Sequence, residues 1–111
     1  MNLKKNALAL AIGLGLGLSV GYASAEEIYI PLVSKGFQHQ FWQVVKAGAE
    51  QAAKDLNVKV TFEGPESEAM VDKQIDMLAA VIAKKPAAIG YAALDSKAAI
   101  PLLKKAQAAK I

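Results

Sequence analysis

The run Ile28-Tyr29-Ile30-Pro31-Leu32-Val33-Ser34-Lys35-Gly36-Phe37-Gln38-His39-Gln40-Phe41-Trp42 contains the change of pattern on which the fold turns. Ile28 to Val33 is apolar apart from the break at Pro31, as expected of a strand covered on both faces. Pro31 removes one ladder donor, which predicts an open side or a bulge at that point. From about Gln40 the period changes. Phe41, Val45, Gly48, Ala49, Ala52 and Leu56 recur at spacings of three and four, predicting a helix to Leu56 that lays this stripe on a sheet. Asn57 suits a left-handed cap behind it. Between strand and helix, Ser34 to Trp42 holds the only His and the only Trp of the chain and two of its three Phe. A loop leaving the carboxyl end of a parallel strand is where open α/β sheets keep their ligands.

The alternation continues downstream. Val58 to Phe62 reads as a second strand, and Glu63-Gly64-Pro65-Glu66-Ser67 has the turn chemistry of a loop at its carboxyl end. Glu68 to Lys84 reads as a second helix with Val71, Ile75, Leu78 and Ile82 buried; Lys84 and Lys85 suit its carboxyl terminus and Pro86 prevents continuation. Ala87 to Ala92 is a short third strand. Leu94-Asp95-Ser96 opens a third helix over about Lys97 to Lys110, with Ile100, Leu103 and Ala106 among its apolar positions. Pro101 lies a turn inside that helix and should bend it or delay its start. Three such units with short links imply right-handed βαβ crossovers, hence an α/β fold: a three-layer parallel sheet with flanking helices.

The first 25 residues belong to a different kind of segment. Lys4 and Lys5 form a basic start, Ala7 to Val20 an apolar core, and Ala23-Ser24-Ala25 a small-x-small site, the pattern of a cleaved secretory signal peptide. The apolar run is short of the ~20 residues that span a bilayer. Gly13-Leu14-Gly15-Leu16-Gly17 lacks a preceding strand and is not a phosphate loop. Loss of this leader takes two of the 13 basic residues and none of the ten acidic ones, leaving a net charge of +1. A surface so nearly balanced gives no footprint for nucleic acid. Ala25 and Glu26 stand where a lipid-anchored protein would carry a Cys, so an unanchored product in the periplasm is expected. The absence of Cys excludes a disulfide scaffold. The domain reading is therefore 1–25 as signal peptide and 26–111 as one incomplete lobe, since three strands make a small, exposed sheet.

Aromatic faces stack on the C–H faces of sugars, while imidazole, amide and ammonium groups bond hydroxyls. The loop after the first strand therefore reads as half of a sugar-sized clamp. Phe41 and Trp42 point about 100° apart on a helix, so one of them can pack on the sheet while the other meets a ligand. Phe37 is expected to anchor the loop against the second helix. His39 is either a cap or a ligand contact. Lys35 can bond a hydroxyl or stand in solvent. Asp95 or Ser96 can cap the third helix; the expectation is that Ser96 takes that role and leaves Asp95 facing the cleft. A metal site is not expected, because His39 has no second His, Cys or spaced carboxylate pair beside it. Glu63 and Glu66 receive no role.

Lys35-Gly36-x-x-His39-x-Phe41-Trp42, the Ala87-Ala88-Ile89-Gly90-Tyr91 run, Ala93-Leu94-Asp95-Ser96 and Pro101 together give Glu27 to Ile111 a family likeness. This part resembles the N-terminal lobe of periplasmic sugar-binding proteins of the ribose-binding type, the type I solute receptors of ABC importers. The resemblance implies half of a two-lobed, non-enzymatic receptor, with a simple sugar or polyol held between lobes. Phe41 and Trp42 correspond to the paired aromatics at the sugar ring, His39 to a polar hydroxyl partner, and Asp95 to an acceptor of sugar hydroxyls. It further implies no cofactor, a monomer, and an importer's transmembrane permease subunits as partner. The second lobe and the later strands of the first do not occur in these residues, and there is no Arg, so a truncated product is expected. Three other outputs share such a fold. A sensor or chemoreceptor would add a transmembrane or kinase-linked segment downstream. A doubly wound enzyme would need Gly-x-Gly-x-x-Gly in the first turn, where this loop has one Gly followed by Phe, Gln and His. A repressor would begin with a helix-turn-helix, where the leader stands.

Overall fold

The computed structural model describes residues 26–111; the signal-peptide reading of residues 1–25 lies outside them. Strands and helices alternate as β1 (Tyr29–Val33), α1 (Gln40–Leu56), β2 (Lys59–Glu63), α2 (Val71–Ala83), β3 (Gly90–Tyr91) and α3 (Ile100–Ala108). The three strands form one parallel sheet in the order β2-β1-β3. Because the chain steps from β1 to β2 on one side and back past β1 to β3, right-handed crossovers place α1 on one face and α2 on the other. Accordingly α1 lies against β2, while α2 lies against β1 and α3 against α2.

β1 pairs with β2 along its whole length, Tyr29 opposite Lys59 through Val33 opposite Glu63. With β3 it pairs only at Leu32–Gly90 and Val33–Tyr91. Pro31 therefore sits in the central strand, buried and not at a sheet edge, and the open side it predicts is the one toward β3, unpaired at this position. Its tolerance follows from the alternation of backbone groups. Ile28 serves β2, its carbonyl accepting from Lys59, while the carbonyls of Tyr29 and Val33 accept from Ala87 and Ala92 on the β3 side. Residue 31 faces the same side as 29 and 33, so the donor it lacks falls where the β3 ladder has not yet begun. This also shortens β3 from the expected Ala87–Ala92 to two residues.

The core lies on the α2/α3 side: Val33, Leu78, Val81, Ile82, Ala99 and Ala106 are buried, with Ile75, Met77, Ile89, Tyr91, Leu102 and Ile111 packed around them. Burying a Leu or Ile side chain fully is worth ~1.5–3 kcal/mol, so this cluster dominates the stability of the unit. Leu102 rather than Leu103 and Ile100 turns inward from α3; the latter two are 41% and 43% exposed. On the opposite face α1 has no fully buried residue. Its half-buried positions are Trp42, Val45, Lys46, Ala49 and Ala53, whereas Phe41, Gly48, Ala52 and Leu56 of the expected stripe face outward. The helix carries apolar residues on two adjoining faces, and the sheet takes the one centred on Ala49.

Helix ends follow local chemistry. Asn57 closes α1 in the left-handed conformation, φ 52°, with its N–H on the carbonyls of Ala53 and Lys54. α2 begins at Val71, three residues after the expected start, since Ser67 to Met70 forms a turn closed by Met70 N–H on the Ser67 carbonyl. α3 starts late, at Ile100, with Pro101 in its first turn, where a missing N–H breaks no helical bond.

Candidate functional site

The loops leaving the carboxyl ends of β1 and β2 come together because Gly64 has no side chain. A Cβ there would collide with Ser34 Oγ and come within 3.1 Å of the Gly36 carbonyl oxygen. Ser34 locks the junction: its buried hydroxyl donates to the Gly36 carbonyl at 2.6 Å and lies 3.2 Å from the Glu63 carbonyl. The two loops then border an open hollow of about 360 Å³, lined by Gly36, Gln38, His39, Glu66, Ser67 and Glu68.

Trp42, in the first turn of α1, does not line this hollow but touches two residues that do. Its indole passes over Gly36, where a Cβ would sit 3.5 Å from Cδ1, and its Nε1 donates to Glu68 Oε1 at 3.1 Å. Phe41 meets it edge to face, with ring centroids 4.9 Å apart, and is 60% exposed. His39 is the N-cap of α1: Nδ1 accepts from the Phe41 N–H at 3.1 Å. That bond puts the ring proton on Nε2, an exposed donor beside the hollow. Gln43 Nε2 holds the preceding turn by donating to the Phe37 carbonyl. The Phe37 ring packs on Phe62 of β2, centroids 6.5 Å apart, not on α2 as expected.

The loop after β3 stands on the other side of β1. Asp95, not Ser96, caps the turn that leads into α3: its Oδ1 accepts from Lys97 N–H at 2.8 Å and Ala98 N–H at 2.7 Å. Those two bonds, Lys97 first, hold its carboxyl below the usual carboxylate range. Because a single oxygen takes both, Oδ2 makes no hydrogen bond among the described residues. Burial pushes the Tyr91 phenol up, and the Asp95 carboxylate adds to the effect.

Of the residues singled out in the sequence, His39 lines the hollow, and Trp42 does not line it but touches two of its walls, Gly36 and Glu68. Phe41, the half-buried Lys35 and Asp95 do not line it. Sequence reasoning missed Glu68, which fixes the indole, and Gln38, Glu66 and Ser67, which complete the wall. Periodicity puts Glu68 in a helix that in fact begins three residues later, and this hides its place on the rim. It also missed Gln74, a polar side chain on α2 with no exposed surface. Gln74 Nε2 donates to the carbonyls of Ser34 and Ala92 at 2.9 and 2.7 Å, and its Oε1 accepts from Tyr91 OH and Leu94 N–H, both at 3.0 Å. Among the described residues no group of three or more His, Cys, Asp or Glu is disposed to hold a metal ion, and no helix is long and apolar enough to cross a membrane.

Residues 30–111 match the family model described as periplasmic binding protein domain. Solved structures give the same answer. An "ABC transporter, LacI family transcriptional regulator" from Brachyspira murdochii is 44% identical, with a TM-score of 0.72, over 77% of this chain and 26% of that one. A carbohydrate transporter solute binding protein from Agrobacterium radiobacter, in complex with D-arabinose, is 38% identical with a TM-score of 0.72, over 78% of this chain and 29% of its own. An ABC transporter solute binding protein from Agrobacterium vitis, bound with α-D-tagatopyranose, is 34% identical with a TM-score of 0.71, over 77% and 28%. The chain thus spans between a quarter and a third of the length of these relatives. No curated protein matches it.

Proposed function

The chain belongs to the periplasmic binding protein domain family, and on that premise we propose that it is one wall of an exported, non-enzymatic sugar receptor. The observation that carries this reading is the hollow between the β1 and β2 loops, where an imidazole, an amide and two carboxylates border one space and the Trp42 indole is bonded to one of those carboxylates. A simple sugar or polyol offers what such a border recognises: C–H faces for Trp42 and Phe41, and vicinal hydroxyls for ionised acceptors, whose hydrogen bonds are roughly twice as strong as neutral ones. His39 Nε2–H donates to a ring or hydroxyl oxygen, and Glu66 and Glu68 accept. Lys35 and the second oxygen of Asp95 serve the side of the ligand toward β3. Closure of an opposing lobe then strengthens these bonds by excluding water from them. In this reading the protein is of the ribose-binding type, monomeric, delivered to the periplasm by residues 1–25, and read in its closed form by an importer's transmembrane subunits. The bound D-arabinose and α-D-tagatopyranose of the relatives above support a monosaccharide of this size.

The test uses the chain itself. Titration with D-arabinose, D-allose and D-tagatose, followed by amide NMR, should shift Gly36, Gln38, His39 and Glu66 to Glu68 together, and Trp42→Ala should abolish those shifts. Shifts confined to other faces, or none with any of the three sugars, would sink the reading.

A further inference from the structure

The loops after β1 and β3 diverge beyond Ala92, and one buried side chain bonds to both. We propose that Gln74 is a positioning residue that fixes the loop after β1 against the loop after β3 and so sets the distance between the hollow at Gln38 and His39 and the carboxylate of Asp95. The last backbone bond between these two segments runs from Ala92 N–H to the Val33 carbonyl at 3.0 Å. One residue further on they part. Ser34 N–H turns to the Glu63 carbonyl of β2, at 2.7 Å, and the chain after Ala92 leaves toward α3. The Gln74 amide enters at this point, donating one proton to the Ser34 carbonyl and the other to that of Ala92. It continues the sheet by one bridging amide where the strands can no longer pair.

Its remaining capacity is spent on the same loop: Leu94 N–H and Tyr91 OH both donate to Oε1. A primary amide has two donor protons and one oxygen with two lone pairs, so all four valences are used. The group is out of reach of water, and loss of any one partner leaves a buried polar atom unpaired. The other buried residues of α2, Leu78, Val81 and Ile82, are apolar and serve the core. Gln74 alone directs its bonds to the segments that lead into the site. Lys35 and Gly36 follow Ser34 directly, and Asp95 follows Leu94. Only a side chain of this length and this donor–acceptor balance fits: Asn is one methylene short, Glu lacks both donors and Leu lacks all four groups.

The effect on ligand rests on the sugar reading above; the spacing itself does not, so the two are tested separately. The chain has no Cys, and Gln38→Cys with Ser96→Cys places one nitroxide on each exposed rim. Pulsed electron resonance should give one narrow distance distribution, and Gln74→Leu should broaden it about twofold or displace it while β1–β2 amides keep their exchange protection. A merely structural role would lower protection throughout the sheet without that selective change. An unchanged distribution overturns the assignment, whatever sugars do. If Gln74→Leu fails to fold, the unsubstituted chain still decides: the Gln74 side-chain protons should exchange at least about 100-fold more slowly than those of exposed Gln51, and comparable rates overturn the proposal. In the sugar arm, the same variant should weaken the NMR-detected binding of D-arabinose, D-allose or D-tagatose about tenfold or more. An unsubstituted chain that takes up none of them refutes the sugar reading, and the distance measurement alone then decides for or against Gln74.

Discussion

Trp42 Nε1 and Glu68 Oε1 are 3.1 Å apart, a bond that joins the start of α1 to the loop before α2 across 26 residues of sequence. The indole is thereby held edge-on over Gly36 with its plane set before any ligand arrives. Glu68→Ala should leave the fold intact, costing about 1 kcal/mol or less because the bond is exposed. It should lower the fluorescence anisotropy of Trp42, and Glu68→Gln, which keeps an acceptor oxygen, should restore it. Equal anisotropy in all three chains would show that the bond does not orient the ring.

Asp95 gives the molecule a defined response to acid. Its folded carboxyl titrates below the usual range because Lys97 and Ala98 donate to the charged form. The unfolded chain therefore binds a proton first as pH falls. The contribution of this cap is present above the ordinary Asp value and is lost as pH drops through the lower folded value. Exchange of the Lys97 and Ala98 amides should accelerate in that window, and Asp95→Ala should accelerate it at neutral pH. Asp95→Asn should also lower the titration point of Tyr91, whose phenol is pushed up by burial first and by Asp95 second. A Tyr91 absorbance titration unmoved by that change would count against their coupling.

Gly64→Ala should act as a wedge between the β1 and β2 loops. The added methyl meets Ser34 Oγ and the Gly36 carbonyl, and overpacking of this kind costs ~1–3 kcal/mol. Ser34→Ala in the same chain should recover part of the loss, read as non-additivity in urea denaturation. Additive costs would mean that the two loops do not bear on one another.

Leu78 is fully buried at the centre of the α2 side. Leu78→Ala should cost ~2–5 kcal/mol, a large part of the ~5–15 kcal/mol that a domain has in hand. Leu56→Ala, at a residue 71% exposed, should leave the denaturation midpoint almost unmoved, although both are Leu on amphipathic helices.

That contrast shows where the sequence is readable. The order of elements, the Asn57 cap and the late start of α3 at Pro101 all follow from residues acting on their own neighbours. The seating of α1 does not. Phe41, Gly48 and Ala52 form as regular a stripe as Trp42, Ala49 and Ala53, so periodicity could not choose between the two faces, and contact with β2 did. Pro31 reads as the mark of an open side or a bulge, and the side toward β3 is unpaired there, but a missing donor does not say which neighbour it fails. At the site, Trp42 and His39 stand out by residue type and by position after a strand. Glu68 and Gln74 do not, since each is an ordinary polar residue until a partner 26 or 40 positions away gives it a role. Asp95 and Ser96 are equivalent caps on paper; two N–H bonds to one carboxylate oxygen decide between them.

Pro31 also divides the sheet mechanically. By silencing one donor on the side toward β3, it leaves that seam with two paired positions against five on the side of β2. Thermal breathing should therefore start along the weaker seam, with β3 and α3 lifting as a flap while β1, α1 and β2 remain zipped. The part bearing Asp95 is then the yielding one, and the part bearing Trp42 the anvil.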